Sequence, residues 1–386
     1  MNLGFEFATA TRVVFGAGVL NNVGALARDF GRHALVVTGR EPRRAQPLLD
    51  RLQEQHLAAT VYPVAGEPTL QAVEQGTALA HETGADFVIG IGGGSALDAG
   101  KAIAALLAND GDLLDYVEVI GCGRTLAQAP VPYLAIPTTA GTGTEVTRNA
   151  VLAAPAHRVK VSLRSPLLLP RLALVDPELT FGLPPALTAA TGLDALTQLI
   201  EPFVSGRSNP ITDALCREGL PRVARSLRRA FVQGTDAAAR ADLALASLLS
   251  GMALANAGLG AVHGFAAPIG GRFHAPHGAV CAALLPHVMA ANLHALRARA
   301  PESAALARYR EVAALLTGHA QAAADDGVRW VSALVQDLAI PGLISYGLGL
   351  DDVEALVEQA GQASSMKGNP IALTRQELAA TLQAAL

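Results

Sequence analysis

Five short apolar runs in the first half of the chain, ALVVT at 34–38, ATVYPV at 59–64, DFVIGI at 86–91, YLAIPT at 133–138 and LALVD at 172–176, alternate with stretches of helical spacing. Such alternation predicts a parallel sheet, because a parallel strand needs a crossover, usually a helix, before the next one can be laid down. The segment 68–85 is one expected crossover helix, with Pro68 suited to its first position and Gly84 to its end. After Pro184-Pro185 the texture changes to Ala- and Leu-rich sequence with helical periodicity and few β-branched runs, which predicts an all-helical second half. At 386 residues the chain exceeds the ~250–300 at which one core stops growing. Two domains are therefore expected, an α/β domain over 1–182 and a helical domain over 183–386, with ligands in a cleft between them. There is no repeat of solenoid period and no low-complexity linker.

Apolar residues make up 51% and charged residues 16%, which excludes a disordered chain. A net charge of −4 provides no field for a phosphate backbone, so nucleic acid is not an expected partner. Cys122, Cys216 and Cys281 are odd in number, far apart and set among small or apolar residues; they read as buried thiols in a reducing, cytoplasmic setting. The start, MNLGFEFATATRVVFG, lacks the basic and apolar regions of a secretory signal. Residues 243–262 carry no charge and are long enough for a membrane span, yet contain Ser247, Ser250, Asn256 and glycines, so they are read as one buried central helix. No membrane association is expected.

Gly92, Gly93, Gly94 and Ser95 follow directly on an apolar strand and precede a helix. Glycines let a diphosphate approach the backbone, and the N–H groups at the start of the helix attract its charge. The loop is not G-x-G-x-x-G and follows the third run rather than the first, so packing alone stays an alternative. A second segment, IPTTAGTGTEVTRNA at 136–150, carries Thr138, Thr139, Thr142, Thr144 and Thr147 at the carboxyl edge of the sheet, where α/β proteins bind ligands. In the second half, Asp194 and Gln198 stand at i and i+4 of one helix, and His263, His274, His277 and His287 follow downstream. A carboxylate and two imidazoles suit a catalytic divalent metal with an open position. Hydrogen-bonded core histidines are the other reading of the same residues.

With these motifs in hand, GGGS at 92–95, IPTTAGTGTEVT at 136–147, DPELT at 176–180, GLDALT at 192–197 and VHG, APHG and LLPH within 262–287, the sequence resembles the iron-containing (group III) alcohol dehydrogenase family over nearly its whole length. The resemblance implies a dehydroquinate synthase-like architecture: an α/β N-terminal dinucleotide-binding domain plus an all-helical, metal-binding C-terminal domain. It implies hydride transfer between NAD(P) and a small alcohol or aldehyde, and a homodimer or larger homo-oligomer, for which the edge run VVFG at 13–16 is a candidate pairing strand. Gly93, Gly94 and Ser95 are matched to the diphosphate, Thr138, Thr139 and Thr142 to the nicotinamide half, and Thr144 to the cofactor site in general. Asp98 and Lys160 are carried over as nucleotide contacts.

The metal ligands implied are Asp194, His263 and His277, with Gln198 as a fourth. Two positions depart from the family. Gln198 stands where a ligand His is usual, and a neutral amide oxygen is the weaker donor, which opens the choice of metal between Fe(II), implied first, and Zn(II). Ala267 stands where many members carry a further His, leaving His274 as the proton shuttle or as a turn cap. At the position that senses the ribose, Gly39 is followed by Arg40, Arg43 and Arg44, which leans the nucleotide from NAD toward NADP. Arg148, Arg272 and Lys367 raise an anionic substrate as a further expectation. Two alternatives stand beside the main reading: a metal-independent, maleylacetate-reductase-like keto-acid reductase, and a nucleotide-binding protein with weakened catalysis.

Overall fold

The computed structural model describes residues 4–157, 159–273 and 275–386. The chain divides into two compact units, Ala8–Thr180 and Phe181–Leu386, the latter taking in residues 4–7 as well.

In the first unit, β1 (Val13–Phe15), β2 (His33–Thr38), β3 (Ala58–Pro63), β4 (Phe87–Gly92), β5 (Tyr133–Pro137) and β8 (Leu172–Val175) form a six-stranded sheet in the order β1-β8-β5-β4-β2-β3. Every pairing is parallel. The five apolar runs are all strands of this sheet, and β1 is its edge. Alternate side chains enter two cores. Leu35, Val37 and Val88 pack on one face, with Leu97 and Ile103 of α4 (Gly94–Leu106) and Val73 of α3 (Leu70–Thr83). Val36 and Ile89 pack on the other, with Val23 of α1 (Val23–Ala27) and Leu48 of α2 (Gln46–Glu54). Burial on both faces explains why the central strands read as unbroken apolar runs. The chain runs outward from β2 to β3 and then returns to the other side of β2 as β4, so the order reverses between β2 and β4. Open sheets bind ligands beyond the carboxyl ends of the strands at such a reversal.

Three details differ from expectation here. Thr69, not Pro68, starts the crossover helix: its hydroxyl accepts from the Ala72 N–H, and Pro68 lies just outside, while Gly84 ends α3 in the left-handed conformation as expected. Past the short α5 (Leu113–Tyr116), β6 (Asn149–Ala154) and β7 (Val159–Arg164) make an antiparallel hairpin that the Thr-rich reading passed over. Cys122 is exposed, whereas Cys216 and Cys281 are buried as expected.

The second unit is helical: α6 (Pro185–Val204), α7 (Pro210–Val232), α8 (Ala237–Ala257), α9 (Ala261–Arg272), α10 (His277–Arg299), α11 (Ala304–Thr317), α12 (Ala324–Asp337), α13 (Val353–Gln362) and α14 (Arg375–Ala384), joined by turns and short 3-10 segments. The single helix expected over 243–262 is two, because Gly258, at φ 73°, closes α8 before α9 begins. By length and composition α8 and α10 could each cross a membrane, but 61% and 78% of their most apolar windows are buried, as in core helices. Helices approach closely where a side chain is missing. A Cβ on Gly192 of α6 would lie 2.3 Å from Leu227 of α7, and one on Gly278 of α10 the same distance from the Ala190 carbonyl of α6.

Candidate active site

The nucleotide-binding expectations fall on the carboxyl ends of three neighbouring strands. Gly39 follows β2, Gly93 and Gly94 follow β4, and Thr138, Thr139 and Thr142 follow β5. These ends converge. A Cβ on Gly92 would lie 3.4 Å from the Gly39 nitrogen, one on Gly93 3.4 Å from Thr139 and one on Gly94 2.9 Å from Thr142, so the loop is glycine because the threonine turn stands against it. Thr138 donates its N–H to the Gly92 carbonyl at 2.8 Å, extending the strand pairing into the turn. Gly93 caps α4 without a side-chain hydrogen bond. The helix therefore opens at Gly94 and Ser95 with no side chain capping its first N–H groups, the arrangement in which helix starts bind anions.

Asp98, Thr144 and Lys160 have protein partners. The Thr144 hydroxyl donates to Asp98 Oδ1 at 2.5 Å, and the Val151 N–H donates to Oδ2 at 3.1 Å. Lys160 pairs with Glu67. The sequence reading missed Lys101, which is 1% exposed. Its ammonium donates to the carbonyls of Thr144, Thr147 and Asn149 at 2.8–3.1 Å and pins the far limb of the threonine turn to α4. Burial lowers Lys101 to about 8, against the pull of Asp98 and Glu145. Burial likewise lifts Glu145 to about 7. The signal in the sequence was a lysine three residues after an aspartate on an otherwise uncharged helix.

In the helical unit, Asp194 of α6, His263 of α9, and His277 and Cys281 of α10 bring one donor atom each to within 4.8 Å of one another. Asp194 Oδ1 lies 3.5 Å from His263 Nε2 and 3.7 Å from His277 Nε2. Cys281 Sγ lies 3.8 and 3.7 Å from the same two nitrogens. Asp194 and His263 are 2% and 6% exposed at the side chain, whereas His277, at 38%, is the member that solvent reaches. His263 Nδ1 is 2.6 Å from Glu201 Oε2, and Glu201 Oε1 accepts the Val262 N–H. This fixes the imidazole with Nε2 toward Asp194. Burial raises Asp194, yet the imidazoles of His277 and His263 bring it below the usual carboxylate range. Burial also raises Cys281, and the same imidazoles bring it below the usual thiol value.

The residues fit a divalent cation. Among the described residues Asp194 Oδ1 is buried with no hydrogen-bond partner, an expensive state for a carboxylate oxygen unless a cation answers it. A tetrahedral ion bonded at about 2.0–2.3 Å to O, N and S sets its donors roughly 3.3–3.8 Å apart, which spans the four spacings from the two imidazole nitrogens to Asp194 and Cys281. Gln198, also on α6, is buried and its Oε1 accepts a hydrogen bond from Ser250 at 2.9 Å. His287 lies outside the donor group, and His274 lies outside the described residues. Arg272 pairs with Asp352. Cys281 was read only as a buried thiol and Glu201 not at all, although they stand at i+4 from His277 and i+7 from Asp194, each on the helix face of its partner.

Residues 10–177 match the family described as iron-containing alcohol dehydrogenase, and residues 188–386 match its C-terminal domain. The chain is 38% identical over 362 residues to alcohol dehydrogenase 4 of Saccharomyces cerevisiae, covering 93% of this chain and 90% of that protein. It is 34% identical over 378 residues to lactaldehyde reductase of Escherichia coli, covering 94% and 95%. A crystal structure of a 1,3-propanediol oxidoreductase is similar with a TM-score of 0.92 at 33% identity, over 99% of this chain and 100% of that one.

Proposed function

The chain belongs to the iron-containing alcohol dehydrogenase family and acts as an NAD-linked, metal-dependent alcohol dehydrogenase, and we propose that Asp194, His263 and His277 hold the metal while the turn at 92–95 holds the cofactor diphosphate. The observation that carries the metal assignment is the unpartnered Asp194 Oδ1 facing two imidazole nitrogens.

A bound divalent ion supplies Lewis acidity to the substrate oxygen as charge develops on it during hydride transfer. The protein does the rest. Glu201 accepts from His263 Nδ1, which fixes the tautomer and leaves the Nε2 lone pair for the ion. Gly93 and Gly94 let the diphosphate reach the α4 amides, and Thr138, Thr139 and Thr142 orient the nicotinamide half. Asp98 and Thr144 brace that turn from behind, and Lys160 contacts the nucleotide, with Glu67 its partner in the free chain. Oxidation of the alcohol yields the aldehyde, NADH and one proton; we assign the proton's exit to His274. The substrates are small alcohols and aldehydes.

NADP acceptance extends this reading. A Cβ on Gly39 would meet nothing within 4 Å, so a 2′-phosphate finds room there. Arg44 is paired with Glu41, which gives Arg40 and Arg43 the task of meeting the phosphate. The edge position of β1 supports strand pairing between copies in a homo-oligomer, and the unpaired thiols support a reducing, cytoplasmic setting.

The test is oxidation of NADH and of NADPH, followed at their nicotinamide absorbance, against small aldehydes before and after chelation. Activity is expected to vanish on chelation and to return with Fe(II) or Zn(II). Turnover indifferent to chelation would return catalysis to side chains, as in the metal-independent alternative.

A further inference from the structure

This inference rests on the metal reading just given and concerns the identity of the fourth ligand. The resemblance to the family supplies Gln198, in a histidine's place, as that ligand. Two observations point elsewhere. Gln198 Oε1 already receives the Ser250 hydroxyl at 2.9 Å, an interaction within the apolar packing of α6 against α8. The Cys281 sulfur, by contrast, stands 3.8 and 3.7 Å from the imidazole nitrogens of His263 and His277, the separations expected of donors sharing one tetrahedral ion. Cys281 is fully buried, and it is one helical turn beyond His277, so α10 presents both donors to α6 from one face.

We propose that Cys281 completes the metal site as a thiolate ligand, giving an Asp194–His263–His277–Cys281 donor set in which Gln198 is a structural neighbour. A thiolate is a softer and stronger donor than an amide oxygen, so the set is suited to Zn(II) over Fe(II). The loss of a nitrogen donor at 198 is thereby answered from a different helix.

The experiment loads the whole protein with Co(II), whose complexes with thiolate show an intense sulfur-to-metal charge-transfer band in the near ultraviolet that nitrogen and oxygen donors do not give. That band is expected in the unmodified protein, absent in Cys281→Ser and retained in Gln198→Ala. Competition against a chromophoric chelator is expected to show Zn(II) affinity falling roughly tenfold or more in Cys281→Ser and by less than about threefold in Gln198→Ala. Cobalt bound by the unmodified protein without the sulfur band overturns the assignment of Cys281 while leaving the metal reading intact. Failure to bind cobalt at all overturns both. Because the spectrum of the unmodified protein decides, the proposal stays falsifiable even if the Cys281→Ser chain does not fold.

Discussion

Glu201 touches the proposed metal site through His263: one carboxylate oxygen accepts a hydrogen bond from Nδ1 and the other accepts the Val262 N–H. Glu201→Gln keeps the shape and loses the charge that holds the imidazole in one tautomer. Metal affinity is expected to fall by about 10–100-fold with the fold retained, read by chelator competition alongside circular dichroism. At this scale the sequence was half legible. Asp194, His263 and His277 announced themselves as polar groups in uncharged surroundings, whereas Glu201 and Cys281 did not. A carboxylate near a helix end and a thiol among alanines each have an ordinary structural explanation, and their meaning depends on distances between helices that no one-dimensional spacing contains. Gln198 shows the converse: its position along α6 suggested a ligand, while its partner, Ser250, lies 52 residues away in α8.

Elements carry a second kind of information, the closeness of their approach. Gly278 follows His277 at the start of α10, and a Cβ there would lie 2.3 Å from the Ala190 carbonyl, a backbone atom that cannot swing aside. Gly278→Ala therefore has to move α10 off α6, taking His277 and Cys281 away from Asp194. A loss of about 1–3 kcal/mol in urea unfolding, together with weakened metal binding, is the expected result. Gly361→Ala in α13, where a Cβ meets nothing within 4 Å, is the matched control and is expected to be neutral or mildly stabilising. Element type was readable from period, since apolar runs became strands and Ala/Leu texture became helices. What period could not supply was interruption and pairing. Gly258 divides a run of unbroken helical character, and the β6–β7 hairpin is short, Ala- and Val-rich and preceded by the threonines of a segment read only for its ligand-lining hydroxyls.

For the molecule as a whole, pH acts through charges buried beneath the threonine turn. Glu145 is lifted by burial from 4.5 to about 7, so the folded chain keeps a proton that the unfolded chain releases, and stability falls as pH rises across that interval. Lys101, lowered by burial from 10.5 to about 8, works the other way: the unfolded chain binds the proton the folded chain has lost, so stability recovers as pH rises from about 8 toward 10.5. Glu145→Gln is expected to remove the first decline, gaining on the order of 3 kcal/mol near pH 7 and nothing near about pH 4. Urea titrations across that range check it.

The first unit occupies one uninterrupted stretch, Ala8–Thr180, and its sheet waits for β8, the last strand to be made, to lie between β5 and the first strand, β1. On the ribosome that stretch emerges whole before any of the proposed metal donors is outside the tunnel, and Cys281, the last of them, follows roughly 100 residues later, about 5–20 s at ordinary rates of synthesis. A nascent chain can therefore meet its nucleotide well ahead of its metal, and because 105 residues still follow Cys281, ion capture too can begin while the polypeptide is being made.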